Sequence, residues 1–227
     1  MGTQTKRGRP RKGPDPERSR EILDAAAEAI LTRGYDATSM QEIADAVELL
    51  KGSLYYYVNS KEDFLYQIIQ PVYEAALEAV YHLMSSDDNA LNRLVRFVHA
   101  HVAFVAANLR AFRIRLREFS QLSPERRVEL SKSGDEYYRV LRSILAAGIE
   151  EGLVDPQIDV RLTPLSIVGQ LNSVAQWYDP NGKYSANELG HHLAGQIVAA
   201  VASDAAVSER GGIEQLRQVG WVTLQPY

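Results

Sequence analysis

The chain has 227 residues, 45% of them apolar and 24% charged, and its formal net charge is −4. These values are typical of a globular protein with one large domain or two small ones, and they argue against a protein that binds nucleic acid over its whole surface. The absence of cysteine excludes disulfides and thiolate chemistry. No stretch is long and apolar enough for a membrane span, and the basic N-terminus lacks the apolar run of a secretory signal, so we expect a cytoplasmic protein.

Positive charge is concentrated in the first twenty residues, where only Asp15 and Glu17 oppose the basic side chains. The basic residues there are Lys6, Arg7, Arg9, Arg11, Lys12, Arg18 and Arg20. The run RGRPRK within this segment resembles the short arms that enter AT-rich minor grooves. We predict a flexible basic arm over 1–16 whose arginines contact DNA; a solubilising tail is the alternative.

Helical spacing recurs after Pro16 and strand-type alternation is nearly absent, so we predict an all-α fold. In the first half, the predicted helices cover 17–33, a short segment after Thr38, 50–58 and 61–84. Thr38 with Gln41, three residues on, is typical of a capping box at the second helix. Pro71 lies inside the fourth helix and is expected to kink it without dividing it, because the apolar rows continue across it.

The second half contains five longer helical segments after a polar break at 85–89. They are predicted at 90–108, 111–120, 124–151, 159–178 and 185–202, with the start of the fourth open between 159 and 163. A polar tail follows 203 and includes a possible short helix at 212–219. The predicted organisation is an arm over 1–16, a helix-turn-helix domain over 17–62, a ligand-binding and dimerisation domain over 63–203 and a tail over 204–227.

The three short helices, with a tight turn before the third, are typical of a helix-turn-helix domain. In this motif the helix after the turn, here the third, lies in the DNA major groove. Tyr55, Tyr56 and Tyr57 step by about 100° each along a helix, so they cannot all face one way. We expect one of them to pack inward with Leu54 and two to reach the duplex. Lys51 would supply charge beside them.

The stretch IADAVELLKGSLYYYVNSKEDF, together with the upstream EILDAAAEAILTRGYDATSMQEIA, resembles the N-terminal domain of TetR-type transcriptional regulators. The sequence departs from that family's pattern at three positions: Glu48 replaces the turn glycine, Leu50 replaces the serine that caps the recognition helix, and Val58 replaces a phenylalanine. The resemblance implies that Thr38, Tyr55 and Lys61 contact phosphates and that Lys51, Ser53 and Tyr56 face bases. Gly52 is expected to let the helix backbone approach the DNA closely.

The resemblance also implies a variable ligand-binding bundle and a homodimer formed by the last two long helices. Each of those helices carries an apolar stripe. The stripes comprise Leu162, Leu165, Val168, Leu171 and Ala175, then Leu189, Leu193, Ile197, Ala200 and Val201. Two copies of the pair would form a four-helix contact. The alternative is that the stripes pack on the core of their own chain.

Candidate ligand residues combine aromatic lining with a few polar anchors, as binding pockets do. They are Phe97, His101, Phe104, Phe112, Arg115, Phe119, Tyr137, Leu141, Asn172, Gln176 and Trp177. An arginine such as Arg115 beside apolar surface suits a carboxylate or phosphate ligand, although ion pairing with Glu118 or Glu125 would also explain it. The second half resembles regulators that respond to acyl-CoA thioesters, which makes such a metabolite the expected effector.

An enzyme is not expected, because the sequence has no GxSxG motif, no phosphate-binding glycine loop and no histidine–carboxylate set at metal-ligand spacing. No cofactor or metal site is predicted. The preferred hypothesis is a ligand-responsive repressor that binds a palindromic operator as a dimer and is released by a hydrophobic or acyl-CoA effector. The alternative is a helical homodimeric interaction or ligand-binding protein without sequence-specific DNA binding.

Overall fold

The structure, a computed structural model, describes residues 15–218. Eleven α-helices occur in that range, so the all-α prediction is confirmed. They are α1 (Pro16–Arg33), α2 (Met40–Ala46), α3 (Lys51–Leu54), α4 (Lys61–Tyr81), α5 (Ala90–Ala107), α6 (Leu109–Glu118), α7 (Pro124–Glu150), α8 (Thr163–Trp177), α9 (Ala186–Val201), α10 (Asp204–Glu209) and α11 (Ile213–Arg217). Short 3-10 turns follow α4 and α6, and Val154 and Ala202 form an isolated antiparallel bridge.

The chain divides into two compact units, one ending at Gln67 and the other beginning at Ile68. The core of the first unit is formed by apolar side chains of α1 to α4: Ile22, Ala26, Ile43, Ala44, Val47, Leu54, Val58 and Phe64. Among residues 15–218, no helix is long and apolar enough to cross a lipid bilayer.

The capping box of α2 lies one residue later than the sequence indicated. Ser39 accepts from the backbone N–H of Glu42, and the Glu42 carboxylate accepts from the backbone N–H of Ser39. These hydrogen bonds, together with the nearby Arg33 guanidinium, lower the pKa of Glu42. Thr38 and Gln41 do not form the predicted box because the Thr38 side chain points into the unit instead.

The turn between α2 and α3 carries two of the three departures noted in the sequence, Glu48 and Leu50. Glu48 has φ 55°, a left-handed backbone conformation that usually costs a non-glycine residue about 1–2 kcal/mol. Leu50 occupies the N-cap of α3 without a side-chain hydrogen bond and is 79% exposed. The recognition helix therefore begins without the usual capping contribution of about 1 kcal/mol.

α4 continues through Pro71 as one helix, as predicted. Its start is held by Ser60 and Asp63: the Asp63 carboxylate accepts from the backbone N–H groups of Asn59 and Ser60, and the Ser60 hydroxyl accepts from the N–H of Asp63. A carboxylate at this position also interacts favourably with the positive end of the helix dipole.

α5 is the centre of the second unit and packs against α7, α8 and α9. It is buried almost all round, since every residue from Phe97 to Val102 is buried. Two ion pairs fix its charged residues: Arg93 with Glu151 at 3.1 Å and Arg96 with Asp88 at 2.9 Å.

Most of the apolar stripe residues of α8 and α9 lie in the core of their own chain, as the alternative interpretation held. The buried members are Val168, Leu171, Ala175, Leu189, Leu193, Ile197 and Val201. Leu162, Leu165 and Ala200 remain exposed. α8 begins at Thr163, and α9 begins with the predicted capping box of Ser185 and Glu188.

The segment that the sequence indicated as a polar tail contains two short helices. α10 was not predicted, whereas α11 lies within the possible helix at 212–219. Leu216 of α11 is fully buried, and α11 packs directly on α9. A Cβ atom on Gly195 would overlap the carbonyl oxygen of Arg217, so glycine at 195 permits this close approach.

Candidate functional site

α3 and the turn that follows it present an exposed polar and aromatic surface. Lys51, Gly52 and Ser53 are exposed, and Tyr55 and Tyr56 are 51% and 53% exposed. On the opposite side, Leu54 is fully buried and Tyr57 packs against the core of the first unit. The expectation that one tyrosine packs inward with Leu54 while two face outward therefore agrees with the structure.

The backbone at Gly52 is open on its outer side. A Cβ atom added there would have no protein atom within 4 Å. The absence of a side chain at this exposed position lets another molecule approach the helix backbone closely. This is the local shape that contact with a groove wall requires.

The Lys61 ammonium is engaged inside the first unit. It donates to the carbonyl oxygens of Tyr35 at 2.8 Å, Thr38 at 2.9 Å and Asp36 at 3.4 Å. It also lies 4.2 Å from the centre of the Tyr35 ring. An ammonium has three donors, so these carbonyls use all of them. Lys61 therefore ties the start of α4 to the α1–α2 turn.

Thr38 is 1% exposed, and its hydroxyl donates to the carbonyl oxygen of Gly34 at 2.8 Å. This side chain therefore stabilises the same turn that Lys61 holds. The two residues were predicted as phosphate contacts, and in the structure both make contacts within the unit. Arg7, Arg9 and Arg11 of the predicted arm lie outside the described residues.

The second unit contains a cavity of about 220 Å³ between α4, α5, α6, α7 and α8. Six of the predicted ligand residues line it: His101, Phe112, Arg115, Phe119, Tyr137 and Asn172. Five others do not: Phe97, Phe104, Leu141, Gln176 and Trp177. The sequence candidates therefore include six of the fourteen residues that line this cavity.

The five remaining candidates have other environments. Phe97 is fully buried against Tyr137, with ring centres 5.1 Å apart, and Leu141 lies in the same core. Phe104 packs on Phe112 from outside the cavity. Gln176 and Trp177 are exposed at the end of α8.

Sequence reasoning missed the contributions of α4 and most of α7 to the cavity. The additional lining residues are Val72, Tyr73, Ala76, Ser131, Gly134, Asp135, Tyr138 and Val168. Gly134 is the residue in the sequence that could have indicated the contact between α7 and α4, since a Cβ atom there would lie 3.4 Å from the Tyr73 ring. A small residue in the middle of a long helix often marks the close approach of another element.

The polar side chains of the cavity are those of His101, Arg115, Asn172, the exposed Asp135 and several hydroxyl-bearing residues. His101 Nδ1 lies 2.6 Å from the Tyr137 hydroxyl. Burial, assisted by the positive charge of Arg115, lowers the pKa of His101 to about 3, so this imidazole is neutral at physiological pH. Arg115 donates to Asn172 Oδ1 at 3.2 Å, and its guanidinium lies 4.5 Å from the centre of the Phe112 ring.

α8 and α9 together present an exposed surface with apolar members. Leu162, Leu165 and Trp177 are each more than half exposed, which is unusual for such large apolar side chains. Gly169 is exposed between them, and Gln170 donates to Gln196 of α9 at the edge of hydrogen-bonding distance, 3.5 Å. Among the described residues, no three histidine or acidic side chains are grouped to hold a metal ion.

Two family descriptions match the chain. Residues 22–68 match the bacterial regulatory proteins of the tetR family, and residues 87–201 match the tetracyclin repressor-like C-terminal domain. The first match contains the motif from α1 to α4. The second contains most of the second unit and eleven of the fourteen residues that line the cavity.

Individual proteins align over most of the chain. The transcriptional repressor KstR2 of Rhodococcus jostii (strain RHA1) is 27% identical, covering 82% of this chain and 92% of its own. The crystal structure of PfmR from Thermus thermophilus, a TetR family regulator, has a TM-score of 0.72 and 32% identity, covering 78% of this chain and 96% of that one. AibR, crystallised with isovaleryl coenzyme A and operator DNA, has a TM-score of 0.70 and 27% identity, covering 79% and 97%.

Proposed function

Because this chain belongs to the TetR family of bacterial regulatory proteins, we propose that it represses transcription from a palindromic operator and is released when an acyl-CoA thioester binds its cavity. The chain is a DNA-binding transcriptional regulator and not an enzyme. The observation that carries the proposal is the outward face of α3, which is polar, aromatic and open at Gly52 while its inner face is buried.

In this proposal, α3 enters the major groove. Lys51, Ser53 and Tyr56 contact base edges, and Tyr55 donates to a phosphate. Gly52 lets the helix backbone approach the groove wall. Thr38 and Lys61 contribute through the turn that they hold, since their donors are used inside the unit. Arg7, Arg9 and Arg11 follow the adjacent minor groove.

Regulators of this family bind operator DNA as dimers, and the exposed surface of α8 and α9 supports that assembly here. Leu162, Leu165 and Trp177 would be covered by a second copy, and Gly169 would permit close packing. Two α3 helices in the dimer would then read half-sites about 34 Å or more apart. A regulator of chromosomal operators acts in the cytoplasm.

The effector proposal is supported by AibR, which was crystallised with isovaleryl coenzyme A. The cavity of this chain is largely apolar and smaller than those that enclose drug-sized ligands, which suits an acyl group with the coenzyme outside. α4 supplies Val72, Tyr73 and Ala76 to the lining and also carries Lys61. An acyl group between α4 and α7 would move α4 and thereby weaken operator binding.

The test starts from operator selection: duplexes retained by the purified chain are sequenced, and affinity for the best one is measured with and without a panel of acyl-CoA thioesters. Gly52→Ala should lower operator affinity at least about tenfold without lowering stability, because the new methyl group meets nothing inside the unit and alanine favours a helix over glycine. Tyr56→Ala should alter sequence preference, whereas the matched variant at another exposed tyrosine, Tyr184→Ala, should not. The absence of any selected duplex would overturn the DNA proposal, and indifference to every thioester would overturn the effector proposal.

A further inference from the structure

Two residues that line the cavity each carry a buried nitrogen atom without a hydrogen-bond partner. His101 Nε2 and Arg115 Nε are fully buried and bond to no atom of residues 15–218. Both residues line the cavity, and the Phe112 ring adjoins both of them. Buried polar groups in native proteins are nearly always hydrogen-bonded. Two unpaired groups on residues that line one cavity therefore indicate that the cavity binds a ligand with a polar group.

The charge of Arg115 is not neutralised by a carboxylate in the described chain. Its contacts are Asn172 Oδ1 and the rings of Phe112 and Tyr73. Asp135 also lines the cavity, but it is exposed and makes no ion pair with Arg115. Glu118, one turn away, lies near Arg117 instead. A guanidinium is always charged, and aromatic walls reduce the screening of that charge.

His101 can supply a second donor beside Arg115. In the tautomer in which Nδ1 accepts from the Tyr137 hydroxyl, Nε2 carries the proton. Because the low pKa of His101 keeps the ring neutral, it adds a hydrogen bond without adding charge. A guanidinium N–H and an imidazole N–H in one apolar cavity form a suitable site for the two oxygens of a carboxylate.

We propose that the acyl group bound by this cavity ends in a carboxylate, which pairs with Arg115 and accepts a hydrogen bond from His101 Nε2. The inference rests on the proposed acyl-CoA response and refines it: the effector would be the thioester of a short dicarboxylic acid. A plain saturated acyl group would leave both buried donors unpaired, at a cost that the dicarboxylic acyl group avoids. The small cavity volume restricts the acyl group to a short chain.

The experiment compares adipoyl-CoA with hexanoyl-CoA, which have the same number of acyl carbons and differ in the terminal carboxylate. Release of the full-length chain from its operator is followed by fluorescence anisotropy. Adipoyl-CoA should act at about ten- to hundredfold lower concentration than hexanoyl-CoA, the usual range for hydrogen bonds to a charged group. Arg115→Met, which keeps the contact with Phe112, should abolish that preference. Arg117→Met, on the exposed side of the same helix, should retain it.

Calorimetry with free adipate separates this inference from the acyl-CoA proposal. Equal or better release by hexanoyl-CoA overturns the carboxylate site and leaves the acyl-CoA response intact. If neither thioester releases the operator but adipate binds, and binding is lost in Arg115→Met, the carboxylate site stands and the thioester proposal fails. If adipate also fails to bind, both proposals are overturned. Circular dichroism of each variant verifies that it is folded.

Discussion

Replacing Lys61 with methionine separates two roles for this residue, a phosphate contact and a tie within the first unit. Methionine keeps most of the apolar stem and removes the ammonium. In the structure the ammonium makes two short hydrogen bonds, to Tyr35 and Thr38, a longer one to Asp36, and a cation–π contact at 4.2 Å. If the two short bonds count about 1 kcal/mol each and the ring contact about 0.5, Lys61→Met should lower the stability of the first unit by about 2–3 kcal/mol.

The salt dependence of operator affinity distinguishes the two roles. A side chain that neutralises one phosphate contributes about 0.9 to the slope of log affinity against log salt. Because all three ammonium donors of Lys61 are used by carbonyl groups, Lys61→Met should weaken operator binding with little change in that slope. Lys51→Met is the matched control: its side chain is exposed, so it should reduce the slope and leave stability unchanged.

The two measurements are fluorescence anisotropy on the selected duplex between about 50 and 200 mM salt, and hydrogen exchange of amides in the first unit. Faster exchange across Tyr35–Thr38 in Lys61→Met is the expected result. If Lys61→Met reduced the slope of log affinity against log salt by about 0.9 and left amide exchange unchanged, Lys61 would not stabilise the first unit in this way. The direct phosphate contact implied by the family resemblance would then be the better explanation.

Three further predictions follow from the backbone, the buried histidines and the exposed surface. Glu48→Gly should raise the stability of the first unit by about 0.5–1 kcal/mol, because glycine adopts a positive φ without steric cost. The control variant Glu48→Ala should give no such gain. Equal midpoints of urea unfolding for the two variants would contradict this explanation. Burial lowers the pKa of His101 to about 3 and that of His99 to about 4, both below the ordinary value of 6.5, so the unfolded chain gains protons first as pH falls. The free energy of unfolding should therefore be highest above pH 6.5 and should decline towards pH 4 by up to about 1.4 kcal/mol per pH unit for each histidine. Urea unfolding at several pH values measures this dependence, and an unfolding free energy that does not change with pH would contradict the prediction. Leu165→Glu should shift the dimer towards monomer in analytical ultracentrifugation, while Val128→Glu, at another exposed apolar residue, should not; a dimer unaffected by Leu165→Glu would place the interface elsewhere.

Local rules predicted the first unit well because its motif is short and each signal acts over a few residues. The angular step of a helix predicted that one of the three tyrosines packs inward, and in the turn after α3 Tyr57 does so while Tyr55 and Tyr56 are exposed. The same rules could not choose between two overlapping capping boxes, Thr38 with Gln41 and Ser39 with Glu42. Burial of the Thr38 side chain, which is a tertiary effect, decided the outcome.

The cavity was harder to predict because α5 gives no periodic signal. Consecutive residues from Phe97 to Val102 are all buried, so hydrophobic spacing cannot indicate which of them faces an opening. Both His101 and Phe97 were candidates, and only His101 lines the cavity, although both lie on the same buried helix. The stripes of α8 and α9 posed a related problem, since an apolar row does not say whether its own chain or a second copy covers it.

The contact between Gly195 and the end of α11 has a consequence for comparing this chain with other members of its lineage. Any larger side chain at 195 would push the Arg217 carbonyl away and lift Leu216 out of its site. Homologues with alanine or anything bulkier at that position should therefore lack α11 or have it on a different part of the molecule. The residue aligned with position 195 would then indicate which homologues have α11 packed on α9 as it is here.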